Sequence, residues 1–222
     1  MNMKKRMLSI VLSGAMAVST AVSAGSFSAF AVAQCVAYSG SNVNAQDYVQ
    51  WSDTVKSYLT VCDNGNYMRV QSGAIEGKLL VEYYSSDFEP LSTKLIDNEL
   101  PIFGAFYDSG NNYYVLSGQE NPKQNDSLEV FRITKYDKNW NKIKSCGLYG
   151  ANTTVPFDAG SARMTHSGDH LLVRTCHEMY KSSDGNNHQA NVTIEVDMPS
   201  MTITDSYTGI MNVDYGLSLI HI

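Results

Sequence analysis

The sequence lacks the short motifs that identify a catalytic chemistry directly. Its four cysteines contain no C-x-x-C spacing, which argues against a cysteine-based zinc site. There is no H-E-x-x-H pair, no Gly-x-Ser-x-Gly turn and no Gly-rich phosphate loop. Zinc peptidases, serine hydrolases of that class and nucleotide-binding enzymes therefore lose support. The sequence predicts no metal site and identifies no cofactor.

Positive charge is also sparse. The chain has 16 Lys and Arg residues against 22 Asp and Glu residues, a formal net charge of −6. Three of the basic residues, Lys4, Lys5 and Arg6, lie at the N-terminus, so the rest of the chain is more acidic still. Nucleic acid and anionic membranes need a cationic face, and this balance argues against both as partners. It is compatible with a cation, a glycan or a protein partner.

The N-terminus has the pattern of a secretory signal peptide. Lys4 to Arg6 form the positive region, an apolar stretch follows over 7–22, and small residues precede Gln34. We therefore predict a signal peptide over 1–33, secretion or display at the cell surface, and no membrane insertion after cleavage. Residues 34–54 are rich in Ser, Asn and Gly and are predicted to be an irregular lead-in.

The cysteines after the leader leave two alternatives open. Cys35, Cys62, Cys146 and Cys176 form an even set in an exported chain, which allows two disulfides with three pairings. Unpaired buried thiols are the other interpretation.

No apolar period of 3.6 residues occurs after the leader, and short alternating segments recur instead. Gly65, Val70 and Ser72 precede Gly110, Val115 and Ser117 by 45 residues, and Tyr84 and Phe88 precede Tyr136 and Trp140 by 52. The segment 109–115 recurs at 167–173, a spacing of 58, and 134–137 recurs at 194–197, a spacing of 60. An uneven period of this length is typical of repeats that contain several strands.

Each repeat is predicted to form four antiparallel strands, because aromatic and β-branched runs alternate with Asp, Asn and Gly turns. The units are assigned to 55–97, 98–150 and 151–206, with the start of a further unit at 207–216. A loop that lengthens from 74–78 to 119–127 and then to 177–190 accounts for the uneven period. Residues 217–222 break the pattern and are interpreted as a non-native tail on a truncated chain.

This plan resembles the secreted β-propeller repeat proteins, of the kelch-like and quinoprotein-like kind, over about residues 55–214. An immunoglobulin-like sandwich also has many short strands, but it gives no reason for an internal repeat. The resemblance implies an all-β fold with about three four-stranded blades of an incomplete ring, since closed rings need four to eight. The kelch Gly-Gly pair and the Gly-His…Trp-Asp pairing of WD40 blades are absent.

The third unit departs most from the repeat, so we place the candidate site there. Asp158 and Arg163 belong to the segment 155–163, which leads into the first strand of this unit, predicted at 161–165; in a propeller the first strand lines the central channel. Arg174 and Tyr180 are further candidate ligand-binding residues, because guanidinium groups suit carboxylate, sulfate or phosphate and tyrosines suit glycans or proteins. Braces between blades are the alternative role.

His177, Glu178 and His188 are the candidate catalytic residues, as acid and base. His166 occupies a turn position. The segment 182–187 resembles the Asp-box of sialidase-type propellers, with its Gly one position early and its Trp missing; an Asx turn explains the same residues.

Two functions follow from these observations. The first is an exported β-propeller module that binds a glycan or protein ligand outside the cell or at its surface. The second is a propeller enzyme, a lyase or hydrolase, that acts on an extracellular polysaccharide or another anionic polymer. In the second, Arg163 or Arg174 would hold the anion.

Overall fold

The computed structural model of the chain describes residues 54–158 and 162–209. The predicted signal peptide, most of the lead-in and the tail at 217–222 lie outside these residues and stay predictions. In the described part, no helix is long and apolar enough to cross a membrane. Every regular element there is a β-strand.

Thirteen strands make up the described residues, and they form three antiparallel sheets. The first sheet has the order β1-β2-β3-β4 and the second the order β5-β6-β7-β8. The third has the order β10-β11-β12-β13, with β9 also paired to β11. The bounds are β1 Ser57–Val61, β2 Tyr67–Ile75, β3 Lys78–Tyr84, β4 Pro90–Asp97, β5 Ile102–Asp108, β6 Tyr113–Gly118, β7 Glu129–Tyr136, β8 Lys142–Tyr149, β9 Thr153–Pro156, β10 Arg163–Ser167, β11 His170–Lys181, β12 Asn187–Asp197 and β13 Thr202–Gly209.

The predicted all-β class and the four-stranded antiparallel units are confirmed. The eight strands of the first two sheets begin and end within a few residues of their predicted positions. The arrangement is consistent with consecutive propeller blades.

The third and fourth strands of each sheet are joined by a tight turn with a large apolar residue at positive φ. These residues are Phe88, Trp140 and Met201, with φ of 62°, 64° and 50°. A polar side chain at the start of each turn caps backbone N–H groups, as Asp137 Oδ1 does for Asn139 and Asn141, both at 2.8 Å. A similar turn therefore recurs at the same place in all three sheets, and in the third it has one more residue between the capping side chain and the apolar residue.

The register corrects one of the predicted repeat spacings. Val70 lies opposite Val81 in the first sheet, whereas Leu116, not Val115, takes the corresponding position opposite Ile133 in the second. The alignment at 45 residues is therefore wrong by one residue. Because side chains alternate along a strand, this slip would exchange the two faces of the sheet.

The third unit differs from its prediction at both ends. The predicted loop at 177–190 is mostly strand, because β11 and β12 pair continuously from His170–Asp197 to Glu178–Gln189. Strand β9 was not predicted, and it pairs with β11 at His177 and Glu178. Tyr207 lies in β13 opposite Thr193, so the assignment of a new unit from 207 is wrong for 207–209; residues 210–216 lie outside the described part.

Each of the first two sheets packs one face, which we call its forward face, on the rear face of the next sheet. Met68, Val70, Leu79 and Val81 form the forward face of the first sheet and pack on aromatic residues of the second. Tyr114, Leu116, Phe131 and Ile133 form the forward face of the second sheet, and they pack on the third. The rear face of the third sheet is formed by Leu171, Val173, Ile194 and Val196.

A lysine contact recurs at both junctions between sheets. Lys94 of the first sheet donates a hydrogen bond to the backbone carbonyl of Asn139, in the turn that ends with Trp140. Lys144 of the second sheet donates to the carbonyl of Ser200, in the turn that ends with Met201, at 2.7 Å. The two junctions therefore share a geometry as well as an order.

The three described cysteines, Cys62, Cys146 and Cys176, are free thiols. Burial raises the pKa of Cys146 and of Cys176 to about 11. For these three residues the structure agrees with the unpaired alternative, whereas Cys35 lies outside the described part.

Candidate functional site

The candidate site lies on the forward face of the third sheet, on which none of the described sheets packs. Side chains alternate along β11, so Leu171, Val173 and His177 point to the second sheet and the residues between them point away. We call this surface the open face. It carries Arg163, Arg174, Cys176, Glu178, Gln189 and Thr193.

The strand register places three of the predicted site residues, Arg163, Arg174 and Glu178, in rows on this face. Arg163 of β10 lies directly opposite Arg174 of β11, and Nη1 of Arg174 donates a hydrogen bond to Oγ1 of Thr193 at 3.2 Å. Glu178 lies opposite Gln189 on the same face. Cys176 occupies the row between them.

Asp158 is positioned by the aromatic residue before it. Phe157 has φ of 61° and is 3% exposed, and its ring contacts Phe131 edge-to-face at 5.4 Å. The ring fills a slot above two glycines: a Cβ on Gly104 would lie 2.4 Å from its Cζ, and one on Gly118 would lie 2.8 Å from its Cε2. Because only glycine leaves this space, the two positions fix the path of the chain into Asp158.

Asp158 and Glu178 form an electrostatically linked carboxylate pair. Oδ2 of Asp158 accepts a hydrogen bond from Nε2 of Gln189 at 2.6 Å, which brings it beside the row that contains Glu178. The pKa of Glu178 is raised, first by desolvation and then by the negative charge of Asp158. The same charge contributes to the raised pKa of Cys176.

A cleft of about 360 Å³ opens next to Asp158. It lies where β1 and β5 begin, and its lining includes Lys56 and Ser72 of the first sheet and Phe103 of the second, with the segment 155–158 closing it. Its volume lies in the range of small-molecule sites. Asp158 is the residue that the cleft and the carboxylate pair share.

His177 is adjacent to Glu178 in sequence but points to the opposite face. Its side chain is fully buried, and Nδ1 lies 2.6 Å from Oγ1 of Thr153 in β9. Burial lowers the pKa of His177 to about 4, so the ring is neutral at pH 7. The structure therefore places His177 and Glu178 on opposite faces of β11, and a catalytic role for His177 stays a prediction.

His188 and Tyr180 also lie apart from the carboxylate pair. Nε2 of His188 contacts Oδ2 of Asp184 at 2.8 Å at the end of the β11–β12 hairpin. The hydroxyl of Tyr180 donates to Asp126 at 3.1 Å and accepts from Asn121 at 2.9 Å, which ties β11 to a loop of the second sheet. The structure shows a bracing role for Tyr180; a ligand-binding role stays a prediction.

The segment resembling an Asp-box forms an ordinary turn, in which Oδ1 of Asp184 accepts from the backbone N–H of Asn186 at 2.9 Å. His166 contacts the hydroxyl of Tyr107 at 2.7 Å through Nδ1. Within residues 54–158 and 162–209, no three His, Cys, Asp or Glu side chains lie close enough to hold a metal ion together.

Sequence reasoning missed Gln189, Lys56 and the two glycines under Phe157. Gly104 does carry a signal, because glycine inside a predicted strand often marks a bulge or a close approach. The register shift between Phe103 and Ala105 is such a bulge. Gln189 was hidden by the predicted loop.

No protein-family model matches the chain, and no curated protein matches it. Among solved structures it is similar to cobalt-substituted Synechocystis ACO, an apocarotenoid oxygenase, with 10% identity and a TM-score of 0.44 over 69% of this chain and 38% of the other. It is also similar to a GH43 β-1,3-galactosidase with galactodeoxynojirimycin, with 11% identity and a TM-score of 0.39 over 68% of this chain and 44% of the other. For an exo-β-1,3-galactanase from Clostridium thermocellum the identity is 8% and the TM-score 0.37, over 64% of this chain and 32% of the other. The chain spans less than half the length of each structure, and these scores assign neither a family nor an activity.

Proposed function

We propose that this chain is part of an exported β-propeller enzyme that acts on an extracellular polysaccharide. Its acid–base residues are Glu178 and Asp158. The observation that carries the proposal is the electrostatic link between these two carboxyl groups, one of which, Asp158, lines a cleft at one end of the sheets. Three sheets that pack in one repeated order support the propeller architecture.

The acid and base roles follow from the different environments of the two carboxyl groups. Glycosidic bond cleavage needs one protonated carboxyl group, which gives its proton to the leaving oxygen, and one carboxylate, which activates water or attacks the sugar. Desolvation and the charge of Asp158 keep the proton on Glu178 to higher pH than usual. The amide of Gln189 donates a hydrogen bond to Oδ2 of Asp158 and holds this carboxyl group beside the row that contains Glu178. Glu178 is therefore the acid and Asp158 the base or nucleophile.

The cleft supplies a place for the sugar next to the base. Its walls combine the aliphatic and aromatic surface of Val155, Pro156 and Phe103 with the polar groups of Lys56 and Asp158. Apolar walls with a few polar groups are typical of sites that orient a small ligand. The slot that holds Phe157 keeps Asp158 at the edge of this cleft.

The test is polysaccharide cleavage by the whole chain, assayed as the release of reducing ends from neutral and acidic polymers. We expect Glu178→Gln and Asp158→Asn each to reduce the rate about 100-fold or more, in line with the loss of a general acid or base. Glu195→Gln is the matched control, since Glu195 lies on the same face but is bound to His170 at 2.6 Å. Full activity in both carboxylate variants would refute the assignment.

The pH dependence gives a second readout for the same pair. The acid must be protonated, so the rate should fall as the pH rises through the raised pKa of Glu178. Asp158→Asn removes the negative charge that helps to raise this pKa. The residual activity of that variant should therefore begin to fall at a lower pH than the activity of the parent chain.

A second candidate function is a glycan- or protein-binding module without turnover, and the cleft favours it. Lys56 and Asp158 are its only charged lining residues among those described, and its remaining walls are neutral. A module of this kind would bind a polymer equally well with Glu178→Gln and release no product. Calorimetric titration of the parent chain and this variant distinguishes the two functions.

A further inference from the structure

We infer that the substrate is an acidic polysaccharide and that Arg163 and Arg174 bind its carboxylate or sulfate groups. This inference deepens the proposed function and rests on it for the identity of the ligand as a polysaccharide. The geometry behind it is the direct opposition of the two arginines on the open face.

Two guanidinium groups at directly opposed positions can bind one anion between them. Opposed residues of an antiparallel pair have Cβ atoms about 5 Å apart, and like charges there destabilise the pair. An anion between them reverses this effect, because each arginine offers a planar pair of N–H donors to two oxygens of a carboxylate or sulfate. The exposed side chain of Arg163 and the half-buried side chain of Arg174 leave such an anion open to solvent on one side.

The position of Arg174 in the repeat points the same way. Val70 in the first sheet and Leu116 in the second occupy the corresponding position on the forward face, and both are fully buried by the next sheet. The residue across from them is Val81 or Ile133, whereas Thr193 lies across from Arg174 and accepts its hydrogen bond. The third sheet thus replaces an apolar packing position by a cation held by its neighbour. A polar ligand suits this face better than a fourth apolar sheet does.

The arginines lie at a useful distance from the acid. Arg174, Cys176 and Glu178 follow one another on the same face of β11, and two residues of strand span about 7 Å. The thiol of Cys176 lies between the two groups. Burial raises its pKa, the charge of Asp158 raises it further, and the charge of Arg174 lowers it. Arg174 and Glu178 are about 13 Å apart along β11, so a charged group on one sugar could contact the arginines while a glycosidic bond further along the same polymer contacts Glu178.

Two acidic residues near the arginines have hydrogen-bond partners of their own. Glu195 lies one row away, opposite Leu172, and its carboxylate contacts Nδ1 of His170 at 2.6 Å. Asp158 is held by Gln189. In a chain with a net charge of −6, a local pair of arginines gives selective contact with an anion and not general attraction to polyanions.

The test measures binding apart from turnover. The whole chain carrying Glu178→Gln is titrated with polygalacturonate, with a sulfated galactan and with a neutral galactan. Arg163→Gln, in the same background, should weaken binding of at least one acidic polymer about ten-fold and leave binding of the neutral one unchanged. Arg163→Lys should restore only part of the loss, because lysine keeps the charge and lacks the planar fork. Lys123→Gln, which removes an exposed cation in the loop after β6, is the matched control and should have no effect.

Each outcome separates the two proposals. Unchanged binding of both acidic polymers by Arg163→Gln overturns the inference, whether or not the chain cleaves polysaccharide. Arginine-dependent binding with no cleavage of any polymer supports the inference and refutes the enzyme. The acidic polymer that responds identifies the anionic group. Arg163 is exposed, so the fold of its variants is checked simply by circular dichroism and thermal unfolding.

Discussion

Trp140 and Phe88 offer a matched test of how the sheets are held together, because they occupy the same turn in neighbouring sheets. Both have positive φ, 64° and 62°, so replacement by alanine carries the same backbone cost in each. Trp140 is 4% exposed and packs within 5.7 Å of the rings of Phe106 and Tyr113. Its Nε1 also donates to the hydroxyl of Tyr83 in the first sheet at 3.1 Å. Phe88 is 59% exposed and stacks on one ring, that of Tyr67, at 4.4 Å.

The two alanine variants should therefore differ widely in stability. Removing a buried tryptophan costs about 3–5 kcal/mol, and Trp140→Ala also leaves the hydroxyl of Tyr83 without this donor. Phe88→Ala removes a partly exposed ring and should cost about 1 kcal/mol or less. For a domain of this size a loss of 3–5 kcal/mol lowers Tm by about 10 °C.

Urea unfolding followed by tryptophan fluorescence is unsuitable for a variant that lacks Trp140, so circular dichroism is the assay. Trp140→Phe is the second variant, and it should recover part of the loss by refilling the space. Equal destabilisation by Trp140→Ala and Phe88→Ala would refute the reasoning, because the shared turn and not the junction between sheets would then be the source of stability.

Two further predictions concern the candidate site and its buried neighbour. Gly104→Ala should cost about 1–3 kcal/mol by displacing Phe157, and Phe157→Leu in the same chain should recover part of that cost, as measured by urea unfolding. Unaltered stability of Gly104→Ala would contradict the close packing of Phe157 on Gly104. His177 has its pKa lowered to about 4, so below pH 6.5 the unfolded chain takes up a proton that the folded chain refuses. The free energy of unfolding should fall by up to about 3 kcal/mol between pH 6.5 and pH 4, and His177→Gln, which does not titrate there, should remove that part of the slope.

Much of the fold follows from local signals in the sequence. In the first two units, turns rich in Asp, Asn and Gly separate alternating apolar segments, and the structure places strands there. The segment 177–190 shows where such signals stop. Its His, Ser, Asp and Asn residues have low strand propensity, yet pairing of β11 with β12 and with β9 keeps most of it extended. Tertiary pairing of this kind is not visible in a local window.

The one-residue error in the first repeat spacing has a related cause. Val70 and Val115 are identical in type, as are Ser72 and Ser117, so similarity alone aligns them. The pairing of the strands shows that they belong to opposite faces of their sheets. Residue type repeats along the chain, whereas the face depends on the length of the preceding turn.

The candidate site was predictable to the extent that it depends on the third unit as a whole. Asp158, Arg163, Arg174 and Glu178 were predicted site residues, and the structure brings them to one side of the third sheet. The separation of His177 from these four residues was not predictable, because the segment 177–190 was predicted to be a loop, in which alternation does not apply. Once β11 is known to be a strand, neighbours 177 and 178 must point to opposite faces.

The arginines of the first and third sheets show why the open face, and not every charged face, is interpreted as a binding surface. Arg69 lies opposite Glu82 within its own sheet, and its Nε contacts Oε2 of that side chain at 2.6 Å. The carboxylate of Glu82 is 2% exposed and also accepts from Gln71 and Tyr84. This cation is neutralised by the sheet itself, which is the arrangement expected of a structural ion pair.

Arg163 has another arginine as its opposite residue, so its role should depend on a ligand and not on the fold. Glu82→Gln leaves the largely buried Arg69 beside a neutral amide and should cost about 3 kcal/mol in urea unfolding. Arg163→Gln should change the free energy of unfolding by less than about 0.5 kcal/mol. Asp97→Asn is the control for the loss of an acidic charge. Asp97 forms an ion pair with Lys78, but its side chain is 82% exposed. A large loss for Arg163→Gln would instead make the arginine row part of the fold, and an anion would no longer be needed to explain it.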